Sequence, residues 1–302
     1  MLSAASRTMA VAIPRTAAMV RSINKVFIFL MVLLLQASVS LLGRKWKFCR
    51  DLCAIPWLRF STLIIGFFFS SLTYPGEIQN QIIQGIGPGT ITIIGEDHRR
   101  PESIRFFESI VSGYLQQDKC LVVALEIASS QQVAIDKVVQ GRAEVSSIKI
   151  PPMIDHPAYR AMLSDLAGLK QRGSCIELIA IDADLKTSTP RDEWMAKILE
   201  YKTGTVPVLA LLGSLHALKR VDWDFEKSSP YVAEILTSLG YQVKTFPQVW
   251  QEKTCNSHNQ LLPPDSVDAV RLINSSLISV LNAYEYKALE GVVDGVVLWE
   301  CG

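Results

Sequence analysis

Beyond residue 89 the hydrophobic pattern alternates between two periods. Five short runs are nearly continuous in β-branched or aliphatic residues: TITIIG (90–95), CLVVALE (120–126), IELIAID (176–182), VPVLALLG (206–213) and VVDGVVLW (292–299). Between the first four, the apolar spacing lengthens to that of a helix. PESIRFFESIVSGYLQQ sets Ile104, Phe107, Ile110, Val111 and Leu115 on one stripe behind Pro101. AYRAMLSDLAGLKQRG does the same and ends in glycine, and PRDEWMAKILEYKTG opens with proline and closes with glycine. Unbroken apolar strands alternating with amphipathic helices predict an α/β fold, a mainly parallel sheet with helices on both faces.

In such a sheet, ligands bind outside the carboxyl ends of the strands. The first run delivers Glu96, Asp97 and His98 there, and the second delivers Glu126. The third delivers Asp182 and Asp184, and the fourth ends GSLH with His216. GEDH and GSLH place histidine three residues after glycine at the end of an apolar run. With 17 glycines and four histidines in 302 residues, chance gives roughly 0.2 such tetrads. Two of them suggest an internal duplication. Glycine at 95 and 213 would let the chain turn off the strand or let a ligand approach the backbone.

The N-terminal pattern is different. Residues 26–43 form an apolar stretch close to a bilayer span, and residues 61–74 resemble the apolar core of a signal peptide. Residues 1–75 carry nine of the 30 Lys+Arg and one of the 29 Asp+Glu, so the body is acidic. That argues against a nucleic-acid-binding body, which would need a positive face. Arg44, Lys45, Lys47, Arg50 and Arg59 between the stretches would hold that linker in the cytoplasm and send the following domain outward. The expected organisation is a membrane or signal region over 1–80 and an extracytoplasmic domain over 81–302, membrane-anchored or secreted. Of six cysteines, Cys120 and Cys175 read as small core residues, whereas Cys255 and Cys301 are free to pair.

Two imidazoles and several carboxylates at one sheet edge admit two kinds of chemistry. Glu96, His98, Glu126 and His216 form a candidate metal set for zinc, manganese or iron in a hydrolase. Without metal, His98 is a candidate general base oriented by Glu96 or Glu126, with His216 as a second catalytic group. The plainer reading makes Glu126 a helix-dipole partner and Asp182 and Asp184 caps. Arg191 stands at a helix start, where the dipole disfavours a cation, so its guanidinium is expected to point at Glu96 or Glu126. Gly-X-Ser-X-Gly, the P-loop and the dinucleotide fingerprint are absent from the sequence.

Over roughly residues 89–223 these motifs resemble those of the ChaN-like haem-binding proteins, within the superfamily that includes TIKI/TraB proteins and erythromycin esterases. IIGEDH, VVALEIASSQQ, PRDEWMAKIL and LLGSLHA carry the likeness, in that order. The resemblance implies a pocket built from Glu96, His98, Glu126, Arg191 and His216. It also implies haem as cofactor in iron or haem uptake, with Tyr159 of DHPAYRAML as iron ligand. Arg191, Arg99, Arg100 or Arg160 would pair the propionates, and a homodimer would follow if haem lay between protomers. The hydrolytic branches imply a divalent metal or activated water at the same residues.

Overall fold

The computed structural model describes residues 76–300 apart from 99, 185, 226–229 and 253–257. All belong to the second of two units, 73–302. The expected leader segments, Cys255 and Cys301 lie outside the described residues. Among the described residues, no helix is long and apolar enough to cross a membrane.

Seven strands form one sheet: β1 (Thr90–Glu96), β2 (Leu121–Ala128), β3 (Ile176–Asp182), β4 (Val208–Gly213), β5 (Gln242–Trp250), β6 (His258–Leu262) and β7 (Val296–Glu300). Their order is β3-β2-β4-β1-β5-β7-β6, with every pairing parallel except β6 against β7. Among the described residues, the α-helices are α1 (Glu77–Gln84), α2 (Pro101–Leu115), α3 (Gln132–Val139), α4 (Pro157–Gln171), α5 (Arg191–Lys202), α6 (Val232–Ser238) and α7 (Val267–Ser276). The strands expected from the first four apolar runs are present, and the fifth run supplies β7 only from residue 296.

Right-handed crossovers decide which face each helix takes. From β1 to β2 and from β2 to β3 the chain moves one way along the sheet, and α2, α3 and α4 share a core with Ile94, Leu125 and Leu211. From β3 to β4 and from β4 to β5 it moves back, and α5 and α6 pack on Ile91, Ile93, Ala124 and Leu212. A third core gathers α7 with Val249, Val296 and Leu298. The chain leaves β1 in one direction and β4 in the other, although the two strands are neighbours. Their carboxyl ends are therefore the switch point of the sheet, where a crevice must open.

Two details depart from the sequence reading. Gly95 does not make room for a ligand. A Cβ there would stand 2.9 Å from the Cα atoms of Pro247 and Ser214, so glycine is required by the close approach of neighbouring backbone. Cys120 and Cys175 are not separate core residues but a disulfide, with Cα atoms 4.5 Å apart. They precede the paired strands β2 and β3, and parallel pairing brings the two chain entries together. The bond lies at the amino ends of these strands, away from the switch point.

Replacing both cysteines with serine should lower unfolding stability by roughly 2–4 kcal/mol, because the bond closes a loop of 55 residues. Urea melts check this. The groups at the opposite sheet edge should keep their ligand response in the same variant.

Candidate functional site

The switch point collects side chains from both faces of the sheet. Glu96 ends β1 on the face of Ile94, the side covered by α2 and α4. Its side chain is 1% exposed, and its Oε1 accepts a hydrogen bond from Nδ1 of His98 at 3.1 Å. Two residues on a turn, His98 is 28% exposed and lines an open cavity of about 580 Å³. With Nδ1 donating to the carboxylate, Nε2 is the nitrogen left to act. The Glu96 hydrogen bond, more than the opposing effect of burial, pushes the His98 imidazole above its usual range. Burial pushes the Glu96 carboxyl up despite the nearby imidazole, so the two titrate as a pair.

The other half of the site is built on the opposite face. Glu126 leaves β2 on the side of Val122 and Ala124, beneath α5. Arg191, first residue of α5, lies across it. Its Nε and Nη2 donate to the two oxygens of Asp182 at 2.7 and 3.0 Å, and Nη2 also donates to Glu126 Oε1. Nη1 lies 3.1 Å from Nε2 of His216. A guanidinium can only donate, so this Nε2 accepts and the proton of His216 sits on Nδ1. Nδ1 then donates to Asp192 Oδ1 at 2.5 Å, and the same oxygen accepts from the Val232 amide at 3.1 Å. The second oxygen of Glu126 accepts from the Gly213 amide at 2.7 Å. Burial alone would raise Glu126, but His216, Arg191 and these hydrogen bonds outweigh it and hold the carboxyl below its usual range.

Gly213 joins the two halves. A Cβ there would stand 3.5 Å from Cε1 of His98 and 3.6 Å from Cδ2 of His216, so both rings lean over the same bare backbone. Ser214 beside it donates to the Glu96 carbonyl at 3.2 Å and ties the end of β4 to β1. GEDH and GSLH thus lie on adjacent parallel strands, one residue out of step, since Glu96 pairs with Gly213.

Glu96, His98, Glu126 and His216 share this region without converging on a common centre. The lone pairs that a cation would need on Glu126 and His216 are taken by Arg191 and Gly213. Among the described residues, no group of three or more His, Cys, Asp or Glu is placed to hold a metal ion. Arg191 is itself the cation of this cluster. It sits on Glu126 and Asp182 rather than Glu96.

Tyr159 is fully buried in the first turn of α4. Burial, then the charges of Glu96, Glu126 and Asp182, push its phenol well above the usual range. Arg160 is held by Asp155 at 2.6 and 2.8 Å. Asp184 accepts from both Ser129 and Ser130 and fixes the turn after β2. Asp192, the partner of His216, escaped sequence reasoning because an acid in a first helical turn reads as a dipole partner. Gln248 and Trp250 of the cavity wall were missed along with β5 itself.

No protein-family model and no curated protein matches the chain. Solved structures do. A Bacillus cereus protein solved as a structural-genomics target aligns with a TM-score of 0.54 at 8% identity, over 75% of this chain and 92% of that one. ChaN of Campylobacter jejuni, solved with cofacially bound haem, aligns at 0.43 and 14%, over 58% and 86%. The type III effector HopBA1 aligns at 0.40 and 10%, over 76% and 95%. The Bacillus protein shares the fold, and the other two overlap more loosely.

Arg191→Ala would leave Glu126 and Asp182 facing each other without a cation. The expected loss is about 2–4 kcal/mol, under the range for a sealed pair because the guanidinium is 44% exposed. Because the folded Glu126 titrates below its unfolded value, its stabilisation is complete above the unfolded value and drains as pH falls through the folded one. The gap between wild type and variant should therefore narrow below about pH 4 in thermal melts.

Proposed function

We propose that this protein hydrolyses an ester or amide of a small molecule held at the β1/β4 switch point, with His98 as general base. The observation that carries the reading is the Glu96–His98 pair: Nδ1 on a buried carboxylate, Nε2 facing a cavity. In this reading Nε2 takes a proton from water as the water oxygen bonds to the carbonyl carbon. Glu96 stabilises the imidazolium so formed. The imidazolium then returns the proton to the leaving oxygen or nitrogen as the bond to it breaks. Leu215, Trp250, Leu277 and Val280 give the cavity an apolar wall suited to a small organic substrate, within the usual volume of such sites.

Haem is the second reading, and the open Nε2 of His98 above that apolar wall is what favours it. The ligands first expected for haem fit poorly. Tyr159 is sealed, and three carboxylates oppose its ionisation, whereas an iron-bound tyrosinate must be ionised. Arg191 is already neutralised by two carboxylates. Arg100 lines the cavity, but its guanidinium lies between Asp97 and Glu102, each at 3.5 Å. His98 would hold the iron if haem binds, and the acidic lining disfavours two propionates.

An extracytoplasmic, membrane-anchored or secreted location belongs to the same proposal. The apolar stretches at 26–43 and 61–74 support it, as does a disulfide, which persists in oxidising compartments.

The test is a panel of chromogenic esters and amides, run beside a haemin titration. Hydrolysis lost in His98→Ala supports the first reading, and a Soret shift lost in the same variant supports the second. Only neutral His98 accepts a proton, so the rate should rise with pH through an acid limb lying above the ordinary histidine value of about 6.5. Glu96→Gln removes the charge that raises His98 and should move that limb to lower pH while reducing the plateau. A limb that stays in place would show that Glu96 does not act on His98.

A further inference from the structure

Among the buried polar atoms with no partner in the described residues are Oε2 of Glu96 and the hydroxyl of Tyr159. A buried polar atom left alone is unfavourable, a carboxylate oxygen more so than a hydroxyl. The topology brings both to one layer at one edge of the sheet. Helix α4 returns the chain from the carboxyl end of β2 to the start of β3, so its first turn lies at the same sheet edge as the site. Tyr159 is the third residue of that helix, and it projects into the core layer that β1 meets through Ile94 and Glu96. The charges that bear on its phenol are those of Glu96, Glu126 and Asp182, the carboxylates that end three strands.

Elimination selects among the three. Both oxygens of Glu126 are used, by Arg191 and the Gly213 amide. Both oxygens of Asp182 are used, by Arg191, with the Ala183 amide on one of them. Glu96 alone keeps an oxygen without a partner. No direct bond joins it to Tyr159.

We propose that one buried water bridges the Tyr159 hydroxyl and Glu96 Oε2, which makes Tyr159 the residue that positions the Glu96–His98 pair. The water donates to Oε2 and to one further acceptor, and it accepts from the phenol. The carboxylate is then held at both oxygens, Oε1 by His98 and Oε2 by the water. Its plane is fixed, and so is the direction in which His98 Nε2 points. The groups around this relay are Glu126 and Asp182 on the strand ends, Asp97 beside His98, and the His156 ring 6.2 Å from that of Tyr159. The relay rests on the geometry of the pair and not on the reaction proposed for it, so a failure to find hydrolysis leaves it testable.

The experiment is Tyr159→Phe in the full-length protein, read by ¹⁵N spectra of its four histidines at fixed pH. The expected result is a shift of the His98 ring nitrogens towards a weaker Nδ1 hydrogen bond, with His216 unmoved. In a Glu96→Gln background the same substitution should move nothing further. His98 signals unchanged by Tyr159→Phe, or all four histidines shifting together, would overturn the proposal. Should the variant fail to fold, a crystal structure of the wild-type protein decides. Density within hydrogen-bond distance of both atoms upholds the relay, and a direct contact or an empty gap refutes it.

Discussion

The site depends on one cation, the Arg191 guanidinium. Glu126 and Asp182 end adjacent strands on a parallel sheet, and two carboxylates there would repel each other in a medium that screens poorly. Arg191 resolves this by lying across both with three donated hydrogen bonds. Its remaining reach fixes the tautomer of His216, which in turn holds Asp192 and the start of α6. A cation at a helix start is unfavourable alone, and here the acids beneath it reverse the sign. Guanidinium geometry suits this work, since a planar fork can serve two carboxylates and a ring nitrogen together. An ammonium could not.

The two faces of the sheet then divide the labour. The Arg191 cluster belongs to the α5 side, and the Glu96–His98 pair to the α2 and α4 side. They meet at Gly213, beside which both histidine rings lie. Right-handed crossovers assign α4 to one layer and α5 to the other, so the separation follows from chain direction along the sheet. One side is a hydrogen-bonded cluster around Arg191 that sets shape. The other keeps an imidazole nitrogen open to the cavity.

Much of this was legible from residues alone. The first four apolar runs were read as strands because burial on both faces leaves no polar positions to confuse the pattern. β5 was not, because Gln242, Lys244, Thr245 and Gln248 break its apolar run and Pro247 argues against a central strand. The structure tolerates that proline where β5 exchanges partners, pairing with β1 up to Gly95↔Pro247 and with β7 from Gln248↔Val297. The acids and histidines at strand ends were visible as a set, since topology alone gathers them. Their division into a clamp and a dyad was not, because it depends on which face each residue takes and on where Arg191 lands. The disulfide was hidden for a similar reason: 55 residues separate cysteines that only the pairing of β2 with β3 brings together.

Arg191 fills the cationic role at this sheet edge, and in the proposed reaction His98 acts without a metal ion. The most direct measurement is hydrolysis of p-nitrophenyl esters by the full-length protein before and after exhaustive chelation, with metal content determined on the same samples. The expected result is an unchanged rate after chelation and no gain when zinc, manganese or iron is added back. Activity abolished by the chelator and restored by one of these ions would contradict it.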